Sequence, residues 1–345
     1  MSITEVILVA VVVMLFVMLF IPIVKNIAVH VGALDIPDAR KVHKAPMPRM
    51  GGLGIFAGFL VGYVLFGYQS IQMNSILIGS FILIITGMID DIKPVPAKYK
   101  FLGQLVAALV IPLYGGIVLR DVSAFGLYVN FGIYSYPLTV FFIVAAINCV
   151  NLIDGLDGLA GGISAIYFLT IGIISILLGN TNGLDAVLTF IMLGSVLGFL
   201  KHNFNPASIF MGDSGSMFLG YMIAVISLLG YKNVTFTSFI VPIFLLAIPI
   251  LDTSFAILRR FINHMPISMP DKNHLHHQFL KKNFSHRRTV LTIYVIDLLF
   301  ATASILYVVG DFYVGLVIYF ILFIIVLVLI LKTDIIFDHS KKNDG

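Results

Sequence analysis

ITEVILVAVVVMLFVMLFIPIV, from Ile3 to Val24, carries one charged side chain, Glu5, and at about 1.5 Å per residue it can cross a bilayer core as one helix. It lacks a basic leader and a small-residue cleavage site, and Lys25 follows it, so it reads as a retained span and not as a signal peptide. Comparable runs recur at 52–68, 75–89, 99–119, 135–150, 160–178, 184–200, 215–231, 236–254, 290–308 and 312–331. Composition agrees: 59% of the 345 residues are hydrophobic, 11% are charged, and the mean hydropathy is +1.05, which excludes a water-soluble globule. The expectation is an all-α polytopic membrane protein, a bundle of about 11 transmembrane helices, with one domain over 1–337 and a polar tail over 338–345.

Alternating the connections across the membrane puts 19 of the 21 basic residues on one side and leaves Arg120 and Lys232 on the other. By the positive-inside bias the N-terminus is then outside and the C-terminus cytosolic, with all nine histidines on the cytosolic side. The outer connection at 120–134 alternates Leu127, Val129, Phe131 and Ile133 with polar and small residues, which predicts a short hairpin. Cys149 is the only cysteine, so an intrachain disulfide and Cys-rich metal sites are excluded and any metal must take oxygen or imidazole ligands.

Five polar stretches lie at the cytosolic ends of the spans. ALDIPDARKVHKAPMPRMGG (33–52) gathers Arg40, Lys41, His43, Lys44 and Arg49 beside the membrane, either as a topology determinant touching anionic lipid or as a phosphate-binding loop. Asp90 and Asp91 close the third span; neighbours on a helix point about 100° apart, so the two carboxylates can take different tasks. In NCVNLIDGLDGLAGG (148–162), Asn148, Asn151, Asp154 and Asp157 recur every three residues, and Gly155 and Gly158 should break the helix. A broken helix at membrane depth is tolerated where it lines a polar cavity. HNFNPASIFMGDSGSMFLG (202–220) places Asp213 where a helix begins, with backbone N–H groups expected to be free for phosphate. The last inner loop carries Arg259, Arg260 and HLHH; on a helix His274 and His277 would share a face with His276 turned aside. Convergent acids, basic loops and a lipid surface together favour Mg²⁺-assisted phosphoryl transfer between a soluble phosphorylated substrate and a lipid phosphate.

These stretches, in this order, resemble the polyprenyl-phosphate N-acetylhexosamine-1-phosphate transferases over nearly the whole chain. The resemblance implies a helical bundle with a cytosolic groove that transfers GlcNAc 1-phosphate from UDP-GlcNAc to undecaprenyl phosphate, with Mg²⁺ (Mn²⁺ as a substitute), no nucleic acid and an optional homodimer. It makes Asp213 and Asp91 metal ligands and assigns Asp90, Asp91, Asp154, Asp157 and His277 to catalysis. Asp90 would deprotonate or orient the lipid phosphate. Arg49, Lys98, Asn151, Asn203, Phe210, Arg259, Arg260, His274 and His276 would bind substrate, with Phe210 stacking on uracil and Lys98 and the histidines on the diphosphate. The loop around HLHH is similar to the teichoic-acid and O-antigen branch, while another UDP-HexNAc or UDP-MurNAc-pentapeptide is the alternative donor. A transporter, the rival of another class, would place acids near the bilayer midplane; here the acids cluster at one face, and apart from Glu5 and Asp185 at span starts only Asp297 and Asp252 fall within spans.

Overall fold

The computed structural model describes residues 1–37, 45–124, 127–232, 240–265 and 274–331. Arg40, Lys41, His43 and Lys44 of the first inner loop, Lys272 and the tail over 338–345 lie outside the described residues. Contacts divide the chain into two units, Met1–Ile240 and Val241–Gly345.

The first unit begins with α1 (Ile3–His30), whose Ser2 side chain accepts from the Glu5 N–H while Glu5 accepts from the Ser2 N–H, a reciprocal capping box. A small ribbon follows, β1 (Leu34–Asp35) antiparallel to β2 (Met47–Pro48), then α2 (Gly51–Phe66), α3 (Ile71–Ile92) and α4 (Ala97–Leu113). The expected outer hairpin is present as β3 (Asp121–Ala124) against β4 (Leu127–Asn130), with Asp121 opposite Asn130 and Val122 opposite Val129. A single 3₁₀ turn, Gly132–Tyr134, leads into α5 (Ser135–Ile153), followed by α6 (Leu159–Leu177), α7 (Leu184–Asn203) and α8 (Gly212–Lys232). The gap between α5 and α6 falls at 154–158, where the glycines foretold a break; Gly158 takes φ +80° at the start of α6.

The second unit holds α9 (Ile240–Leu245), which starts at the boundary, α10 (Ala247–Ile262), α11 (Leu275–Lys281), α12 (His286–Val309) and α13 (Phe312–Leu331). Eight helices among the described residues are long and apolar enough to span a membrane: α1, α3, α5 with its preceding turn, α6, α7, α8, α12 and α13. The chain is an all-α polytopic membrane protein. The remaining apolar stretches are shorter or interrupted. α2 has 16 residues, α4 has 17, and the run at 236–254 passes from α9 to α10 through Leu246. Pro249 lies in the first turn of α10, where its missing N–H leaves no intrahelical bond unmade.

In lipid, apolar surface alone does not select a helix's partner; close packing does. α1 shows the distinction. Val6, Val9, Val13, Val17, Ile21, Val24 and Ala28 form a buried stripe, while Leu8, Leu15, Leu19 and Ile23 stay exposed on an equally apolar helix. The stripe packs along α7, whose Gly194 and Gly198 stand four apart. A Cβ on Gly194 would lie 2.3 Å from the Ala10 carbonyl oxygen.

α8 is the buried centre of this unit, packed by α2, α3 and α5. Its start meets α2 and α3 at backbone distance. A Cβ on Gly52 would lie 2.1 Å from the Gly215 nitrogen, and one on Gly87 would lie 2.3 Å from the Ser214 Cα. Backbone cannot yield as a flexible side chain does, so a methyl group at either position must push α8 away. Gly52→Ala and Gly87→Ala should each destabilise the protein by about 1–3 kcal/mol. Melting of the detergent-solubilised protein checks this, with Val64→Ala, at a 78% exposed position of α2, expected to stay near wild type.

Candidate active site

The ends of α3, α4 and α8 and the segment after β2 bring together three acids and two bases. Asp90, Asp91 and Asp213 offer carboxylate oxygens that all lie within 4.8 Å of one another. Such a set of like charges, two of them buried, needs cations. The Arg49 guanidinium supplies one: Nη2 stands 3.2 Å from Asp91 Oδ1, 3.5 Å from Asp213 Oδ1 and 3.9 Å from Asp90 Oδ2, while Nη1 is 3.7 Å from Asp35. Lys100 supplies the other, with Nζ 2.8 Å from Asp213 Oδ2 and 3.4 Å from Asp90 Oδ2. Burial works against the charge of Arg49, but Asp91, Asp213, Asp35 and Asp90 outweigh it and hold its pKa above the ordinary value.

Asp90 and Asp91 do diverge as neighbouring helix residues should. Asp90 Oδ1 accepts from the Val95 N–H at 2.9 Å and closes the turn after α3. Asp91 faces the start of α8, where Oδ1 accepts from the Asp213 N–H at 2.8 Å and Oδ2 accepts from the Ser214 N–H at 3.2 Å and the Ser214 hydroxyl at 2.6 Å. This corrects the reading of GDSGS as a turn with open N–H groups for phosphate. The first N–H groups of α8 are already capped, by a carboxylate from another helix that also complements the helix dipole. Asp91 thereby fixes the position of Asp213.

Lys100 was missed in favour of Lys98. Lys98 is exposed, with its Nζ over the Tyr99 ring at 4.9 Å, and it stays outside the cluster. The signal was helical period. Gln104 is buried and accepts from Asn148 Nδ2 at 2.7 Å, and Lys100, four residues before it, shares that inward face while Lys98 does not.

The remaining polar residues of this unit brace the wall. Asn151 Nδ2 donates to the Ser216 hydroxyl at 2.8 Å, joining α5 to α8. Asn203, at the end of α7, accepts from the Gly158 N–H at 3.0 Å and donates to the Ile209 carbonyl at 3.0 Å. Asp157 Oδ2 accepts from Asn205 Nδ2 at 2.9 Å and the Ala207 N–H at 3.1 Å. Phe210 bridges to Arg49 through backbone; its N–H donates to Pro48 and its carbonyl accepts from Gly51 at 2.9 Å. Asp154 feels the cluster through space. Its pKa is pushed up to about 7, by burial first and by Asp213 next, with Arg49 opposing.

In the second unit the histidine group has a support that hydropathy concealed. Asp252, buried on α10, accepts from the Leu275 N–H at 2.7 Å and pairs with His274 Nδ1 at 2.8 Å. His274 sits at the N-cap position of α11, just before the helix, and Asp252 caps the first N–H, which overturns the shared helical face of His274 and His277. His276 is not turned aside: its ring is parallel to that of His274 at 5.8 Å and 4.3 Å from that of His277. Neither of its ring nitrogens has a hydrogen-bond partner among the described residues. Burial and then His277 lower its pKa to about 3, so the ring is neutral at physiological pH and brings no charge of its own. Helical spacing was the available signal for Asp252, since Asp252, Thr253, Ala256, Arg259 and Arg260 form the buried face of α10.

The donor set suits Mg²⁺, which takes hard oxygen ligands and commonly one or two carboxylates with water and substrate phosphate completing its shell. Comparison with known proteins places the chain among transferases. The profile described as Glycosyl transferase family 4 matches residues 73–231. A probable undecaprenyl-phosphate N-acetylglucosaminyl 1-phosphate transferase of Bacillus subtilis (strain 168) is 45% identical over 332 residues, 95% of this chain and 92% of that protein. A decaprenyl-phosphate N-acetylglucosaminephosphotransferase of Mycobacterium tuberculosis (strain CDC 1551 / Oshkosh) is 37% identical over 303 residues, 79% of this chain and 75% of that protein. An undecaprenyl-phosphate alpha-N-acetylglucosaminyl 1-phosphate transferase of Escherichia coli (strain K12) is 29% identical over 299 residues, 85% of this chain and 81% of that protein.

The raised pKa of Asp154 has a measurable sign. Between the ordinary carboxylate range and about 7 the folded protein holds a proton that the unfolded chain has released, so this group's contribution to stability declines as pH rises through that window. Asp154→Asn should raise the melting temperature at about pH 8, and the gain should shrink toward about pH 5. Melting curves of both proteins across that range check it.

Proposed function

Because the chain belongs to glycosyl transferase family 4, the polyprenyl-phosphate N-acetylhexosamine-1-phosphate transferases, we propose that it transfers GlcNAc 1-phosphate from UDP-GlcNAc to undecaprenyl phosphate. The observation that carries this reading is the acid cluster with its two basic partners at the helix ends, in a chain whose relatives are named for this chemistry. Asp213, with Asp90 or Asp91, would hold Mg²⁺. When bound, the ion would offset phosphate charge.

The reaction exchanges one phosphoanhydride for another. An oxygen of the lipid phosphate bonds to the sugar-bearing phosphorus of UDP-GlcNAc, the bond from that phosphorus to the bridging oxygen breaks, and UMP departs with that oxygen. Positioning and charge neutralisation therefore carry the catalysis. Asp90 would orient or deprotonate the lipid phosphate. Arg49 and Lys100 would take up phosphate charge, and Asp154, Asp157, Asn203 and Phe210 would hold the nucleotide side. Within the second unit, His274, His276, His277, Arg259 and Arg260 would offer donors to phosphate, with Asp252 fixing the His274 ring. The excess of basic residues on one side favours a cytosolic site in a bacterial plasma membrane, with an extracellular N-terminus and about 11 spans. The product would begin a cell-wall polymer of teichoic-acid or O-antigen type.

Purified protein given undecaprenyl phosphate, Mg²⁺ and a panel of UDP-sugars should release UMP and form lipid-linked sugar with UDP-GlcNAc. Transfer from none of them contradicts the reaction, and transfer from another sugar alone contradicts the donor. Asp213→Asn should abolish Mg²⁺-dependent turnover in a folded protein, as checked by size-exclusion profile and melting.

A further inference from the structure

Arg49 Nη2 is within 3.9 Å of one oxygen from each of Asp90, Asp91 and Asp213, the same three carboxylates that could hold a divalent ion. Lys100 Nζ adds contacts to Asp90 and Asp213 from a second helix. Two side-chain cations thus lie where the charge of one divalent cation would be needed. Both are partly open to solvent, with side chains 22% and 26% exposed, and both are long enough to move. Asp91 is held differently. Its side chain is fully buried, and it is bound to two N–H groups and a hydroxyl of α8. Asp90 and Asp91 are therefore anchored by the fold, while the Asp213 carboxylate is held by Arg49 and Lys100, whose own side chains are anchored to the acids.

We propose that Arg49 and Lys100 are internal placeholders for the metal: they hold the mutually repelling acids together in its absence, compete with it for the same oxygens, and are released by it to take the phosphates of the substrate. This rests on the metal centre of the proposed reaction and adds to it a coupling between cation and phosphate binding. Neutralising the acids with protein charge costs metal affinity, because the ion must displace charges already paired. Once displaced from the three carboxylates, a guanidinium still beside Asp35 and an ammonium are free to turn to the diphosphate, and both are strong phosphate donors. Metal and phosphate then favour one another, and by linkage each must raise the affinity for the other.

The consequence separates these residues from ordinary substrate binders. Removing either positive charge should tighten metal binding while impairing transfer. Full-length protein in micelles, titrated with Mn²⁺ alone and followed by loss of the free-ion EPR signal, should bind Mn²⁺ at least about tenfold more tightly as Arg49→Gln or Lys100→Gln than as wild type. In turnover, the same variants should reach half-maximal rate at lower metal concentration, with a reduced kcat. Unchanged or weaker Mn²⁺ binding in the folded variants overturns the inference. Lys100 lies on a different helix from the Arg49 segment, so Lys100→Gln decides the matter if Arg49→Gln does not fold. Asp213→Asn separates the two levels of the claim. It should lose Mn²⁺ binding, and full retention of binding would bring down the metal centre itself.

Discussion

Three carboxylates brought within 4.8 Å of one another at the edge of a bilayer are the constraint around which the first unit is built. In a low-dielectric setting such a group either protonates or acquires positive charge, and Arg49 and Lys100 provide that charge. Their reach requires the β1–β2 ribbon, which sets Arg49 against Asp35, and the inward face of α4, which carries Lys100 and Gln104. It also requires α8 to begin beside the end of α3. The glycines at 52, 87 and 215 allow that approach, and Asp91 secures it by capping α8. The same contacts that settle the helix start aim Asp213 into the cluster.

This division of labour explains why adjacent aspartates are needed. Both carboxylates reach Arg49 Nη2, but their other contacts differ: Asp90 turns one oxygen to the Val95 N–H and the other toward Lys100, while Asp91 also gives both oxygens to the start of α8. The raised pKa of Asp154 nearby fits the same electrostatics, since it lies in the field of Asp213 and Asp91 as well as of Arg49.

Much of this was legible in the sequence because membrane proteins place few charges and place them for cause. The apolar runs foretold the helices, Gly155 and Gly158 foretold the break between α5 and α6, and the alternation after Arg120 foretold the hairpin. What hydropathy could not supply was which apolar face meets protein and which meets lipid. The valine stripe of α1 and its exposed leucines are equally apolar. Nor could it show which polar groups satisfy one another. Asp91 capping α8, Asp252 holding His274, and Lys100 in place of Lys98 are all tertiary pairings, visible beforehand only as a shared helical face.

The central claim is that the acid cluster is a cation site held in readiness by Arg49 and Lys100. An experimental structure of the wild-type protein with Mn²⁺, located by anomalous scattering, tests it most directly. The claim requires a peak among the carboxylates of Asp90, Asp91 and Asp213, with Arg49 no longer paired to Asp213. A peak elsewhere, or a bound ion with Arg49 still against all three acids, would contradict it.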